Sequence, residues 1–329
     1  MSQPLLDIRG LEITFGRGDG AMTAASGVSL AVNEGEILSL VGESGSGKSV
    51  TALAVLRLLP PQGRITGGEI RFGGRDLCAL SEEALDEVRG AGIAMIFQDV
   101  MYSLNPVLTI GRQMTEGMRR HLGLSRADAA ARAAQLLTRT GLRDAAGTMK
   151  KYPHQLSGGM RQRVMIAMAV SCGPKLLIAD EPTTALDVTI QLQIMRMLKQ
   201  LRDDTGMGIL LITHDIGLVA ETADRVAVMY AGQCVEQAPA EALLTRPAHA
   251  YTRALMRSVP DARDHRATRL LSIPGSVPED YGQLAGCRFA PRCPHGPECP
   301  WRERDEFIQA EPGHITRCAW YVGRADHAV

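Results

Sequence analysis

Residues Gly42-Glu43-Ser44-Gly45-Ser46-Gly47-Lys48-Ser49 form an unbroken G-x-x-x-x-G-K-S run. Directly before it stands Glu36-Ile37-Leu38-Ser39-Leu40-Val41, an apolar, strand-like stretch, and directly after it residues 50–59 read as an apolar helix. Strand, glycine-rich turn and helix in that order are what a phosphate cradle needs. The glycines let backbone N–H groups curl around β- and γ-phosphates, Lys48 adds a point charge, and the Ser49 hydroxyl can ligate Mg²⁺. The eight-residue pattern also arises by chance in Gly/Ser-rich sequence, but the flanking strand and helix argue for a true P-loop.

Three further motifs follow in order. Leu156-Ser157-Gly158-Gly159-Met160-Arg161-Gln162 reads at the least as a turn that opens a helix at Met160, and an exposed helix N-terminus is an anion site. Leu176-Leu177-Ile178-Ala179-Asp180-Glu181 is a buried strand closed by two carboxylates, which are costly to place beside an apolar core without a partner. His214-Asp215 follows the apolar run 208–213. Taken with the P-loop, these motifs resemble those of the ATP-binding cassette (ABC) ATPases. The resemblance implies ATP hydrolysis, with Gly42, Ser44, Gly45, Ser46, Gly47, Lys48, Ser49 and Val50 around the nucleotide. By the family pattern Asp180 orders Mg²⁺ through water, with Ser49 and Gln98 as further Mg²⁺ contacts. Glu181 polarises the attacking water, and His214 touches the γ-phosphate. Ser157, Gly158, Gly159 and Gln162 would cap ATP held by a second subunit in a head-to-tail dimer, and Asp187 would signal across that dimer. Phe15 would stack on adenine, as aromatic faces suit nucleobases. By themselves Phe15 reads equally as core, Gln98 as a polar residue after a strand and His214 as structural.

Composition agrees with a soluble enzyme. The 329 residues carry 36 basic and 36 acidic side chains, so no basic field recruits nucleic acid. The longest apolar stretches, such as 164–170 and 209–212, fall far short of the roughly 20 residues a membrane helix needs. The N-terminus lacks the basic and apolar regions of a signal peptide. Strands are expected at 8–14, 28–32, 37–41 and 69–72, and Ser81 is a candidate N-cap for a helix over 82–89. Residues 109–140 carry a helical pattern, matching the α-helical subdomain (about 100–165) that ABC ATPases insert between P-loop and signature. Strand and helix then alternate to about residue 230, which argues for a largely parallel, helix-covered sheet. The expected fold is α/β: an ABC-type P-loop NTPase over residues 1–255, with a RecA-like core, an antiparallel β subdomain and the helical insert. One P-loop and one signature in the chain mean that a closed ATP sandwich needs a second subunit.

Past residue 254 the chain changes character. Prolines cluster, the alternation stops, and four of the seven cysteines fall at Cys287, Cys293, Cys299 and Cys318, spaced C-x5-C-x5-C-x18-C. Cys78, Cys172 and Cys234 are scattered and read as ordinary small buried residues. In a reducing compartment four cysteines so close are better read as metal ligands than as disulfides, and thiolates suit zinc or an iron–sulfur cluster. Zinc sites favour C-x2-4-C pairs, and there is none; His295 and His314 are rival ligands. Residues 256–329 would then be a small, loop-rich domain with little hydrophobic sequence to bury, ordered largely by its metal.

The tail also narrows the family. Ile273-Pro274-Gly275 and Gly286-Cys287-Arg288-Phe289-Ala290-Pro291-Arg292-Cys293-Pro294 resemble the C-terminal region of dipeptide, oligopeptide and nickel importer ATPases, closest to the D-type subunit of the dipeptide importer. Val100 and Tyr102 depart from the family pattern, in the loop that faces membrane subunits. The resemblance implies a [4Fe–4S] cluster on the four tail cysteines, with Zn²⁺ as the alternative. It implies a bacterial importer energised by ATP, with a second, F-type ATPase subunit, two transmembrane permease subunits and a periplasmic binding protein. The ATPase would lie on the cytoplasmic face of the inner membrane as a peripheral protein. Nickel, glutathione or another small solute could replace peptide as cargo. A soluble ABC ATPase acting on ribosomes or DNA is the different class, but paired cassettes and long coiled-coil insertions are both missing from the sequence.

Overall fold

The computed structural model describes residues 3–99, 103–184, 186–258, 273–278 and 281–322. The chain divides into two compact units: Met1–Leu5, Val32–Glu36 and Ala79–Ile212 form one, and Leu6–Ala31, Ile37–Cys78 and Thr213–Val329 the other.

In chain order the second of these begins with β1 (Leu6–Phe15), β2 (Met22–Val32), β3 (Ile37–Val41), α1 (Lys48–Val55), β4 (Gly63–Phe72) and β5 (Arg75–Asp76). β2, β1, β4 and β5 lie side by side in that order. β1 and β4 are antiparallel, with Leu6 opposite Phe72 and Phe15 opposite Gly63, and the register slips between Arg9 and Ile13. β4 is longer than the expected 69–72 because Gly67 and Gly68 mask a strand that continues on both sides of them. All five residues of β3 are buried, as a strand covered on both faces must be, and β3 runs directly into the 42–47 loop and α1.

The other unit takes over with α2 (Glu82–Val88) and β6 (Ile93–Ile96). Ser81 caps α2 as expected, its hydroxyl accepting from the Ala84 N–H at 3.3 Å. The helices α3 (Ile110–Leu122), α4 (Arg126–Arg139), α5 (Ala145–Lys150) and α6 (Gly158–Ala169) come next. The helical pattern of 109–140 is therefore two helices, since α3 stops at Gly123 and Ser125 caps α4 through the Asp128 N–H. β7 (Leu176–Asp180), α7 (Val188–Thr205) and β8 (Gly208–Ile212) complete the unit. β6, β7 and β8 are parallel neighbours, with Ile96 beside Ala179 and Asp180 beside Ile212. Parallel pairing requires the long helical crossovers, and it brings the C-terminal ends of β6 and β7 to one edge.

The chain then returns through α8 (Ile216–Thr222), β9 (Arg225–Tyr230), β10 (Gln233–Pro239), α9 (Ala240–Thr245), α10 (Ala250–Arg257), β11 (Ile308–Glu311) and β12 (His314–Thr316). In this unit the strand order is β11-β12-β10-β9-β3, with β3 and β9 parallel and the rest antiparallel. The tail joins the sheet directly, Thr316 of β12 facing Glu236 of β10. The fully buried Glu236 carboxylate meets His314 Nε2 at 2.6 Å and accepts from the N–H groups of Ala248 (2.6 Å) and His249 (3.0 Å).

The expectation of a tail with little to bury is overturned. Phe289 and Tyr281 are buried, and Phe289 packs edge-on against Tyr230 at 5.2 Å and against Tyr251 at 5.4 Å. A single aromatic side chain buries about 150–250 Å², so two suffice to dock a proline-rich loop that composition marks as polar. Among the described residues no helix is long and apolar enough to cross a membrane.

Candidate active site

The phosphate loop occupies the turn between β3 and α1, and its shape depends on residues without side chains. A Cβ on Gly42 (φ +151°) would collide with the Met229 carbonyl, and one on Gly47 (φ +98°) would sit 2.5 Å from the Ala24 carbonyl oxygen. Lys48, the first residue of α1, is buried and folds back over the loop. Its Nζ donates to the carbonyls of Gly42 (2.8 Å) and Glu43 (2.9 Å) and approaches the Ser46 hydroxyl at 3.3 Å. Ser44 and Gly45 are exposed at the tip, Ser46 is buried, and Ser49 and Val50 are half-buried on the first turn. A buried cation folded over a glycine-rich turn at a helix N-terminus is an arrangement that suits an anion. Phe15, at the end of β1, is half-buried with its ring over Gly63, where a Cβ would lie 2.9 Å from the ring. His214 is exposed, one residue past Thr213, whose N–H reaches the Leu40 carbonyl at 3.3 Å. Asp215 caps α8, accepting from the N–H groups of Gly217 and Leu218.

In the other unit, β7 ends on a buried Asp180, and the next residue, Glu181, has φ +47°. Left-handed backbone at a glutamate is uncommon and marks a turn held by its surroundings. The Glu181 N–H donates to the Ile212 carbonyl at 2.9 Å. The carboxylate Oε2 accepts from Gln98 Nε2 at 3.2 Å and from the Thr184 hydroxyl at 2.9 Å. Gln98, Asp180 and Glu181 are thus brought together. Thr184 is a positioning residue that motif reading passes over; its only sequence signal is the hydroxyl three residues after the glutamate.

The signature opens α6 as expected. Ser157 is the N-cap, accepting from the Met160 N–H at 3.4 Å, and Ser157 and Gly158 are exposed. The nearest atoms to a Cβ on Gly158 and on Gly159 are Leu186 Cδ2 (3.8 Å) and Ile190 Cγ2 (3.5 Å), so the signature turn abuts the start of α7. Asp187 caps α7 through the Ile190 N–H at 3.0 Å. Gln162 does not share the exposed end: it is buried, and neither side-chain amide atom has a hydrogen-bond partner among the described residues. Val100 and Tyr102 lie outside the described residues.

Cys287, Cys293, Cys299 and Cys318 are half-buried and share one neighbourhood. Burial pushes the Cys287 thiol up to about 11, and burial, reinforced by neighbouring cysteines, also raises Cys293 and Cys318. Yet among the described residues no group of three or more His, Cys, Asp or Glu side chains is gathered to hold a metal ion. The two histidines are engaged elsewhere: His295 stacks on Trp320 and bonds the Tyr321 hydroxyl, while His314 is paired with Glu236. Among the described residues, then, the four cysteines lie near one another without an assembled ligand set for a [4Fe–4S] cluster or zinc. At Cys287, Cys293 and Cys318 burial favours the neutral thiol over the thiolate that metals require.

The chain is similar to known proteins. Residues 25–184 match the ABC transporter family, and residues 235–299 match the C-terminal region of oligopeptide and dipeptide transporters. A probable peptide ABC transporter ATP-binding protein of Sinorhizobium fredii is 52% identical over 315 residues, covering 95% of this chain and 94% of that one. The oligopeptide transport ATP-binding protein AppD of Bacillus subtilis is 47% identical over 318 residues, covering 96% and 97%. Among solved structures, the dimeric ATP-binding cassette MJ0796, in a post-hydrolysis state with ADP and Pi, aligns with a TM-score of 0.64. It is 28% identical and covers 71% of this chain and 98% of that one.

Proposed function

Since the chain belongs to the ABC transporter ATP-binding family, we propose that it is the ATP-hydrolysing subunit of a bacterial importer of di- and oligopeptides. The likeness to peptide-transport relatives over nearly the full length, tail included, supports the cargo class. In this reading the chain is a peripheral protein on the cytoplasmic face of the inner membrane, bound to two permease subunits that a periplasmic binding protein supplies with peptide. A second, F-type ATPase subunit completes the pair, and Ser157, Gly158 and Gly159 cap the nucleotide held by that partner.

The chemistry is positioning and electrostatics. Residues 42–49 take the phosphates, with Lys48 as the fixed cation. Ser49, Gln98 and Asp180 offer the oxygen donors that Mg²⁺ prefers, and the ion supplies charge neutralisation on the phosphates when bound. Glu181 accepts a proton from, or orients, the attacking water, and His214 contacts the γ-phosphate. The observation that carries this reading is the Glu181 carboxylate, fixed by Gln98 and Thr184 beside the buried Asp180. Cys287, Cys293, Cys299 and Cys318 would hold a [4Fe–4S] cluster, with Zn²⁺ as the alternative, as thiolates. Iron and acid-labile sulfide measured on anaerobically purified protein decide that point.

The test is transport. The assembled complex, in vesicles with ATP on the side of this subunit, should accumulate a labelled dipeptide or oligopeptide delivered by the binding protein. Uptake should stop in the Glu181→Gln complex. ATP-driven uptake of nickel or glutathione with none of peptide would overturn the cargo assignment.

A further inference from the structure

Arg292 stands between Pro291 and Cys293 in the tail, and its side chain is only 6% exposed. Nε donates to the Pro274 carbonyl at 2.8 Å. Nη1 reaches Glu43 Oε2 at 2.8 Å and the Tyr230 hydroxyl at 3.3 Å. Nη2 reaches Glu43 Oε1 at 3.1 Å and the Gly275 carbonyl at 3.1 Å. The guanidinium therefore grips Glu43 with both prongs while its other donors are anchored in the tail and on β9. Glu43 is the second residue of the phosphate loop. Its own N–H donates to the Tyr251 hydroxyl at 2.8 Å, and its carbonyl receives Lys48 Nζ.

Two further contacts of the tail converge on the same loop. Arg288 Nη1 donates to the Ala231 carbonyl, and the next residue, Gly232, donates its N–H to the Ser46 carbonyl at 3.0 Å. The Tyr281 hydroxyl reaches the Ala24 carbonyl, the oxygen that a Cβ on Gly47 would meet. The plainer reading is that Arg292 only anchors the tail to a convenient carboxylate. Against it stands geometry. A bidentate guanidinium fixes orientation as well as distance, and here it fixes the residue whose carbonyl holds Lys48.

We propose that Arg292 is a positioning residue for ATP binding: through Glu43 it sets the phosphate loop and the place of Lys48, so that the tail governs nucleotide affinity and not the chemical step. This rests on the assignment of residues 42–49 to the phosphates of ATP.

The test is an ATP titration of hydrolysis by the assembled transporter, with thermal melting of each complex in parallel. Arg292→Gln should raise the KM for ATP about tenfold and leave kcat within about twofold, the pattern of lost binding rather than lost chemistry. Glu43→Gln should do the same, and the double variant should be no worse than either single, because one contact is removed in each case. Arg292→Lys keeps the charge but loses the fork and should fall between. A lower melting temperature at unchanged KM would overturn the proposal and leave Arg292 a tail anchor. So would additive effects in the double variant. Lys48→Ala separates the two levels: if it too leaves KM unchanged, the loop assignment fails, whereas a raised KM there with Arg292→Gln unaffected refutes the tail's role alone. Should Arg292→Gln not assemble, Arg292→Lys and Glu43→Gln report the same parameter.

Discussion

The phosphate loop and the Glu181 turn both follow fully buried parallel strands, β3 and β7, yet they are held in different ways. Loop 42–47 is braced by residues about two hundred positions later: Tyr251 on its backbone, Arg292 on its side chain and the Gly232 N–H on Ser46. The Glu181 turn is held by Thr184, three residues on, and by Gln98, just past the end of the neighbouring strand β6. A loop assigned to an anion of fixed shape is set by a distant scaffold. A carboxylate assigned to a reacting water is set by hydrogen bonds within its own sheet edge. Binding and chemistry are therefore expected to fail separately.

The largest effects should separate the two regions by function. Glu181→Gln keeps the size and hydrogen bonding of the side chain but removes its charge, and hydrolysis should fall about 10²–10⁴-fold, the range for losing a general base. ATP should stay bound, as equilibrium binding of labelled ATP to the stalled complex would reveal. Lys48→Ala should lower hydrolysis by about 10²–10³-fold and lose ATP binding as well. If both variants lose binding equally, the division is wrong.

Acid should break the distant bracing first. Burial holds the His249 imidazole down at about 4, and its neutral Nδ1 accepts from the Tyr251 N–H at 3.0 Å. The unfolded chain takes up a proton near pH 6.5 that the folded chain refuses until about 4. This contribution to stability is complete above pH 6.5 and is lost as pH falls through about 4, to a total of roughly 3 kcal/mol. Denaturant midpoints measured from pH 7 to 4 should therefore fall, and His249→Asn, which does not titrate, should flatten the slope. An unchanged slope would remove His249 from the account.

The sequence discloses these two regions unequally. The apolar runs before Gly42 and after Pro174 are legible as buried strands because both faces are covered, so nearly every residue is apolar. Motif spacing then places Lys48, Asp180, Glu181 and Gln98 correctly on strand ends and a helix start. What it cannot disclose are partners chosen by the fold. Arg292 and Tyr251 look like any arginine and tyrosine, and Thr184 like a loop residue. β12 stays hidden because it is only three residues long and joins β10 from far along the chain. Nor does the motif disclose that α6 turns Gln162 inward. The tail cysteines are gathered by a spacing that is legible, whereas the burial that raises the thiols of Cys287, Cys293 and Cys318 is set by the fold.

The smallest effects test the central comparison most directly, through the ATP dependence of hydrolysis in two conservative variants of the assembled transporter. Thr184→Val removes one hydrogen bond from the Glu181 carboxylate and should lower kcat about fivefold to tenfold at unchanged KM. Tyr251→Phe removes one from the Glu43 N–H and should raise KM by a similar factor, about fivefold to tenfold, at unchanged kcat. If the two variants move the same parameter, the two loops are not held for separate tasks, and the account is contradicted.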